Sequence, residues 1–197
     1  MKPFIILGTG GHGEVVCRLL KDLKYPIEGV CDPIFKEVEK DKSWNNLKVF
    51  GSDNALFKLD ASKYNIAIGL GVKPSENKRN EVFEKIKKNG FSIPNLIHPF
   101  SYVAEDVILG EGIQIMAGSI IQTKVSIGDN CIINSRASID HNSLIGKNTH
   151  VAPSSCICGD VHIGNNSYIG AGSTIIQGIK LRKNSFVKAA SLVKENN

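Results

Sequence analysis

Two short constellations in this chain carry residue types able to do chemistry. The first is Gly8-Thr9-Gly10-Gly11-His12-Gly13, in which Gly8, Gly10 and Gly13 meet a G-x-G-x-x-G spacing. An apolar run, Phe4-Ile5-Ile6-Leu7, precedes it. A helical pattern follows, with Val15, Val16, Leu19, Leu20 and Leu23 on one face. Glycine lets backbone approach a phosphate closely, and a helix N-terminus offers free N–H groups carrying about half a positive charge. Asp32 ends a second apolar stretch about twenty residues on, where an acid binds a ribose hydroxyl. His12, inside the loop, either meets a ligand or caps the helix. The second constellation is Asp140-His141. A neutral imidazole is the usual general base near pH 7, and an adjacent carboxylate can fix its tautomer.

The elements that must hold these groups differ between the two halves. From Ile97 to Val187 an aliphatic residue recurs at every sixth position, including Ile115, Ile121, Ile127, Ile133, Ile139, Ile145, Val151 and Ile157. Four positions after each stands a small or β-branched residue, such as Ser119, Val125, Cys131, Ala137, Ser143 and Thr149. Neither a helix nor a flat strand has this period. It is the signature of a β-solenoid, in which each hexapeptide forms one side of a coil and buries its apolar residue by stacking. About five coils follow from residue 103 onward, a prism roughly 25 Å tall at about 4.8 Å per coil. Gly110, Gly128, Asn134, Gly146, Gly164 and Gly170 are expected near corners, where left-handed backbone angles suit them.

In this register His141 faces outward, and the residue one coil above it is Gly159. A glycine there predicts an open notch beside the imidazole and an exposed N–H, an arrangement suited to acyl transfer, where charge develops on a carbonyl oxygen. His150 lies at the end of the next face, either at an acyl donor or at a corner. His98 and His162 read as structural. A zinc site would need three well-placed histidines, which the spacing does not provide, so no metal is expected.

Residues 1–95 alternate strands and helices: strands at Phe4–Leu7, 27–32 and 65–69, a turn into a short helix around 49–56, and an amphipathic helix over 76–89 closed by Gly90. That pattern implies a small parallel sheet resembling half of a dinucleotide-binding fold, sized for one nucleoside diphosphate rather than for NAD. Residues 33–48 read as a polar surface loop. Residues 96–197 are the solenoid domain.

Composition narrows the function classes. The net charge of +5 is spread over scattered lysines, which favours anionic ligands over a nucleic-acid footprint. No apolar stretch reaches the roughly 18 residues of a membrane span, and no signal-peptide pattern opens the chain. Five cysteines without paired spacing fit a reducing cytoplasm. Cys156 and Cys158 lack the surroundings of a nucleophile.

Together, Gly-Thr-Gly-Gly-His-Gly at 8–13, Ile68-Gly69, and Asn134-Ser135-Arg136-Ala137-Ser138-Ile139-Asp140-His141 followed by His150-Val151-Ala152-Pro153 resemble the bacterial sugar acetyltransferases of the PglD/NeuD type. The resemblance covers nearly the whole chain and implies a left-handed parallel β-helix, a homotrimer and acetyl-CoA as co-substrate between adjacent solenoids. It further implies transfer of acetyl to the 4-amino group of a nucleotide-linked 4-amino-4,6-dideoxy sugar, in surface-glycan biosynthesis. Carried over residue by residue, His141 would be the general base with Asp140 beside it, and His150 and Gly159 would meet acetyl-CoA. Gly8, Gly10, Gly11, His12 and Gly69 would hold the diphosphate and sugar, with Asp32 at the nucleoside. Lys180, Arg182, Lys183 and Lys188 stand where CoA phosphates could lie. The chain departs from the pattern at 33–48 and at Gly71-Val72-Lys73-Pro74. Two other readings share the scaffold: a sialic-acid-type O-acetyltransferase, and a non-catalytic solenoid that only binds nucleotide.

Overall fold

The computed structural model describes residues 2–35, 43–74 and 76–196. They form two compact units that divide between Pro94 and Asn95.

The first unit runs β1 (Phe4–Leu7), α1 (Gly11–Asp22), β2 (Ile27–Cys31), β3 (Ser43–Trp44), β4 (Leu47–Gly51), α2 (Asp53–Leu56), β5 (Asn65–Ile68) and α3 (Lys78–Lys88). Among the described residues the sheet order is β3-β4-β2-β1-β5. All pairings are parallel except the edge strand β3, which is antiparallel to β4. β1, inside the sheet, and β5, at its end, are buried along their whole length, as expected of parallel strands covered on both faces. Phe83 and Ile86 of α3, with Leu56 of α2, close one core cluster against Ile5, Leu7, Ile66 and Ile68.

Three sequence expectations need adjustment here. Val15 is 45% exposed whereas Val16 is fully buried; consecutive helical residues point about 100° apart, so only one can face the sheet. The stretch read as loop contains β3 and the start of β4, joined through Asn45 (φ 51) and Asn46 (φ 63). Two consecutive left-handed residues make the tight turn whose twist suits a hairpin. The remainder of that stretch, 36–42, lies outside the described residues. The helix expected over 76–89 is shorter at both ends, and Gly90 does close it with φ +80.

The second unit is a parallel β-solenoid of two-residue strands, from β6 (Leu96–Ile97) to β22 (Leu192–Val193). Its described strands form three sheets of six, five and six strands, so the coils begin slightly earlier than residue 103. Every strand pairs in register with the one eighteen residues on, as in Ile121↔Ile139↔Ile157↔Ile175. The aliphatic positions therefore stack into columns that form one continuous buried core. The second inward position is small for a reason beyond space. Buried Ser119, Ser143, Ser155 and Ser173 donate their hydroxyls to the carbonyls of Asn134, Cys158, Gly170 and Lys188, at 2.8–3.0 Å, so these four hydroxyls are paired inside.

Corner geometry differs from expectation. From Leu109 onward left-handed residues recur at every sixth position, three after each aliphatic: Gly112, Gly118, Lys124, Asn130, Arg136, Asn142, Asn148, Ser154, Asp160, Asn166, Gly172, Gly178, Asn184 and Ala190. The expected corner glycines, Gly128, Gly146 and Gly164 among them, have no such angle. They are small because a Cβ would strike the next coil's backbone, 2.3–2.6 Å away. Asn134 is likewise not left-handed. At one corner Asn130, Asn148, Asn166 and Asn184 join side chain to side chain at 3.0–3.2 Å, which ties four coils together.

Ile133 is fully buried, between Ile115 and Val151 in its column. Ile133→Ala is expected to cost about 2–5 kcal/mol, read as a lowered urea midpoint with an unchanged slope.

Candidate functional site

In the first unit the sequence-predicted ligand residues meet in one cleft. Its volume is about 440 Å³, and Gly8, Gly10, Gly11, His12, Asp32, Asp53, Gly69, Lys73 and Lys78 are among its lining residues. Close packing of the turn explains three of the glycines. Gly8 adopts φ +104, and a Cβ on Gly13 or Gly69 would stand 2.2 or 2.3 Å from the Gly8 carbonyl oxygen. Gly10 and Gly11 are different, because a Cβ on either meets nothing within 4 Å. They are exposed at the N-terminus of α1 and leave its first N–H groups open to the cleft. A phosphate fits such a helix start.

Asp32 works first on the loop itself. Its Oδ2 accepts the Thr9 N–H at 2.7 Å and the Thr9 hydroxyl at 2.9 Å, and its Oδ1 accepts the Ile34 N–H at 2.9 Å. The carboxylate thus fixes the loop after β1 to the end of β2. Arg79, which the sequence reading missed, does the same on the other side. It is buried, and its Nη1 donates to the carbonyls of Ile68 at 3.2 Å and Leu70 at 2.6 Å, setting the turn that carries Gly69. A buried arginine in a helix otherwise rich in solvated lysines has no periodic signal; only the polar position on an apolar face hinted at it. Arg79→Ala leaves two carbonyls short of a donor. It is expected to cost about 2 kcal/mol and to weaken nucleoside-diphosphate binding, read by urea unfolding and calorimetry.

Asp53, in the cleft lining, and Cys31, at the end of β2, have shifted titration. Burial, then the charge of Asp32, raises the Asp53 carboxyl above the usual carboxylate range. Burial, then Asp53, pushes the Cys31 thiol up to about 12, so it stays a thiol.

In the second unit His141 follows β13 (Ser138–Ile139) at the corner leading to β14 (Leu144–Ile145), and it is exposed. The ring lies directly over Gly159, where a Cβ would be 2.6 Å from both Cε1 and Nε2. The expected open notch is therefore filled by the imidazole itself, and Gly159 is buried beneath it. The Gly159 N–H makes no backbone hydrogen bond among the described residues. Asp140 does not reach the ring: its Oδ1 accepts the His141 backbone N–H at 2.9 Å. The ring's neighbour is Asn142, whose Nδ2 stands 3.0 Å from Nδ1. The left-handed angle of Asn142 (φ +60) brings its side chain back beside the preceding residue, which alternation along a strand would forbid.

His150 belongs to β15 (His150–Val151), in a different sheet from β13. It is buried, 3.3 Å from Asn134 and edge-on to Tyr168 at 5.0 Å. A shallow groove of about 570 Å³ over β14 is lined by Leu144, Lys147 and His162, among others. His162, which the sequence alone marks as structural, is thus part of a groove lining. His98 has a local role, its Nδ1 accepting the Phe100 N–H at 3.0 Å. Burial, then Cys156, raises the Cys158 thiol, which disfavours the thiolate a nucleophile needs.

Comparison with known proteins assigns each half of this arrangement. Residues 3–86 match the PglD N-terminal domain, and residues 142–177 match the bacterial transferase hexapeptide repeat. The first unit is thus similar to a PglD N-terminal domain and the second to a transferase hexapeptide repeat. The chain is 31% identical over 120 residues to the UDP-N-acetylbacillosamine N-acetyltransferase of Bacillus subtilis (strain 168). That match takes in 59% of this chain and 52% of the relative, so it spans about half the relative's length. The acetyltransferase domain of PglB from Neisseria gonorrhoeae FA1090, solved in complex with acetyl coenzyme A, is 26% identical. It superposes with a TM-score of 0.90 over 99% of this chain and 92% of that one. PerB from Caulobacter crescentus, solved in complex with CoA and GDP-perosamine, is 29% identical. It gives a TM-score of 0.87 over 100% of this chain and 90% of that one. No described helix of the chain is long and apolar enough to cross a membrane.

Proposed function

We propose that this chain transfers the acetyl group of acetyl-CoA to the 4-amino group of a nucleotide-linked 4-amino-4,6-dideoxy sugar. The observation that carries the reading is the exposed His141 ring seated on Gly159, in a chain similar to one protein solved with acetyl coenzyme A and another solved with CoA and GDP-perosamine. His141 takes a proton from the amine as nitrogen attacks the thioester carbon. The resulting oxyanion is met by the Gly159 N–H, the intermediate collapses, and CoA leaves as the thiol. Turning the Asn142 amide so that its oxygen faces Nδ1 makes it an acceptor for Nδ1–H and leaves the Nε2 lone pair as the base. Asp140 is a positioning residue, acting through the backbone of His141. Direct transfer needs no acyl-enzyme, in keeping with the raised Cys158 thiol.

In this reading the diphosphate lies on the N–H groups at Gly10 and Gly11, beside His12, with the ribose toward Asp32. Acetyl-CoA occupies the cleft between adjacent solenoids of a homotrimer. The groove over Leu144 and His162 supplies one wall, and His150 comes from another face. The reading places the work in the cytoplasm, in keeping with five cysteines that lack paired spacing.

The test is release of CoA thiol from acetyl-CoA against UDP-, dTDP- and GDP-linked 4-amino sugars, with molar mass in solution measured alongside. Rapid release with one of them supports the proposal. Release only with sugars that offer a hydroxyl and no amine would assign O-acetylation instead, and no release with any would contradict transferase activity.

A further inference from the structure

We propose that Asp53 reads the nucleobase and selects guanine. The inference rests on the nucleotide reading of the cleft given above, and it names the base. The sheet order β4-β2-β1 places three loops side by side at the carboxyl ends of adjacent strands. The glycine loop follows β1, Asp32 follows β2, and Ser52-Asp53 follow β4. Strands lie about 4.8 Å apart. Asp53 therefore sits two strand spacings, roughly 10 Å, from the phosphate end, with Asp32 between them. A nucleoside diphosphate laid along this row has its phosphates on the glycines, its ribose at Asp32 and its base at Asp53.

Asp53 lines the cleft together with Asp32 and Lys78. Its Oδ1 is buried without a hydrogen-bond partner, whereas the carboxylate of Asp32 is already engaged three times. A buried acceptor without a donor is costly, and the residue that carries this one lines the cleft. The flat carboxylate turns softly about its last torsion, so a ligand that supplies two donors can engage both oxygens.

The donor pattern decides the base. An ionised carboxylate only accepts. Guanine alone among the common bases presents two adjacent donors, N1–H and the 2-amino group, on one edge. Uracil and thymine offer a single N3–H between two carbonyls, each of which would face a carboxylate oxygen. Adenine and cytosine offer an amino group beside a ring acceptor, with the same repulsion. Two N–H donors and nearby Lys78 favour the charged form of Asp53 against the opposing effect of its burial.

The experiment is calorimetric titration of the full chain with GDP, UDP and dTDP, then of Asp53→Asn with GDP and xanthosine diphosphate. Asparagine presents one acceptor and one donor, which complements the N1–H and 2-oxo edge of xanthine. The wild type should bind GDP ~10- to 100-fold more tightly than UDP or dTDP. Asp53→Asn should lose that preference by a similar factor and bind xanthosine diphosphate better than the wild type does. UDP or dTDP binding as tightly as GDP would overturn guanine selection while leaving the nucleotide cleft standing. Unchanged GDP affinity in Asp53→Asn would overturn the role of Asp53. Failure of all three diphosphates to bind would overturn the nucleotide reading and this inference together. The wild-type preference stands independently of whether the variant folds.

Discussion

Asparagine in place of His141 is expected to lower kcat by ~10³-fold, within the 10²–10⁴ that a positioned base supplies. KM for both substrates should move little, because the ring makes its decisive contribution as the amine loses its proton in the transition state. Binding of a nucleoside diphosphate should be unchanged, since the glycine loop, Asp32 and Arg79 belong to the first unit. The melting temperature should also hold, because His141 is exposed and contributes nothing to the buried columns. Steady-state kinetics with calorimetry on the same variant separates these outcomes. A variant that keeps most of its kcat would remove His141 from the chemistry.

The second large effect comes from a single methyl group. Gly159→Ala places a Cβ 2.6 Å from Cε1 and Nε2 of the ring, a distance real contacts do not tolerate. The obstructing atoms are the end of an exposed side chain, so the imidazole swings away and the coil keeps its stacking. We expect kcat to fall by ~10²-fold, the scale of a displacement of about 1 Å in a reacting group. Stability should stay within about 1 kcal/mol of wild type. Loss of activity with loss of folding would point to coil stacking instead. Full activity would show that the ring does not need its seat on Gly159. Gly128→Ala makes a useful contrast, because its Cβ would meet the backbone of Lys147 at 2.6 Å and should destabilise the coil without touching the histidine.

How much of this was legible in the chain depends on how local each signal is. The six-residue period gave the solenoid, its inward columns and the stacking of Gly159 over His141, because every coil repeats the same short-range constraint. The strand-loop-helix around Gly8–Gly13 was legible for the same reason. The left-handed corners were not, although they recur as strictly as the aliphatics. Lys124, Arg136, Ser154 and Ala190 hold those angles beside Asn130 and Gly118, so stacking of coils imposes a geometry that residue type does not announce. Asn142 was missed on that account: its approach to the ring follows from the corner, whereas Asp140 had looked the natural partner. Arg79 and Asp53 act across sequence separations that periodicity cannot see, since each matters only after β4, β2, β1 and β5 have come together. Val15 shows the smaller failure of an apolar residue next to the one position the sheet could cover.

The most direct measurement is a competition. The protein is supplied with acetyl-CoA, a GDP-linked 4-amino-4,6-dideoxy sugar and its 4-hydroxy counterpart together, and the acetylated product is isolated and its linkage assigned by NMR. The account predicts an amide on the 4-nitrogen, formed by the wild type and nearly lost in His141→Asn. An ester as the main product, or amide formation that survives the loss of His141, would contradict it.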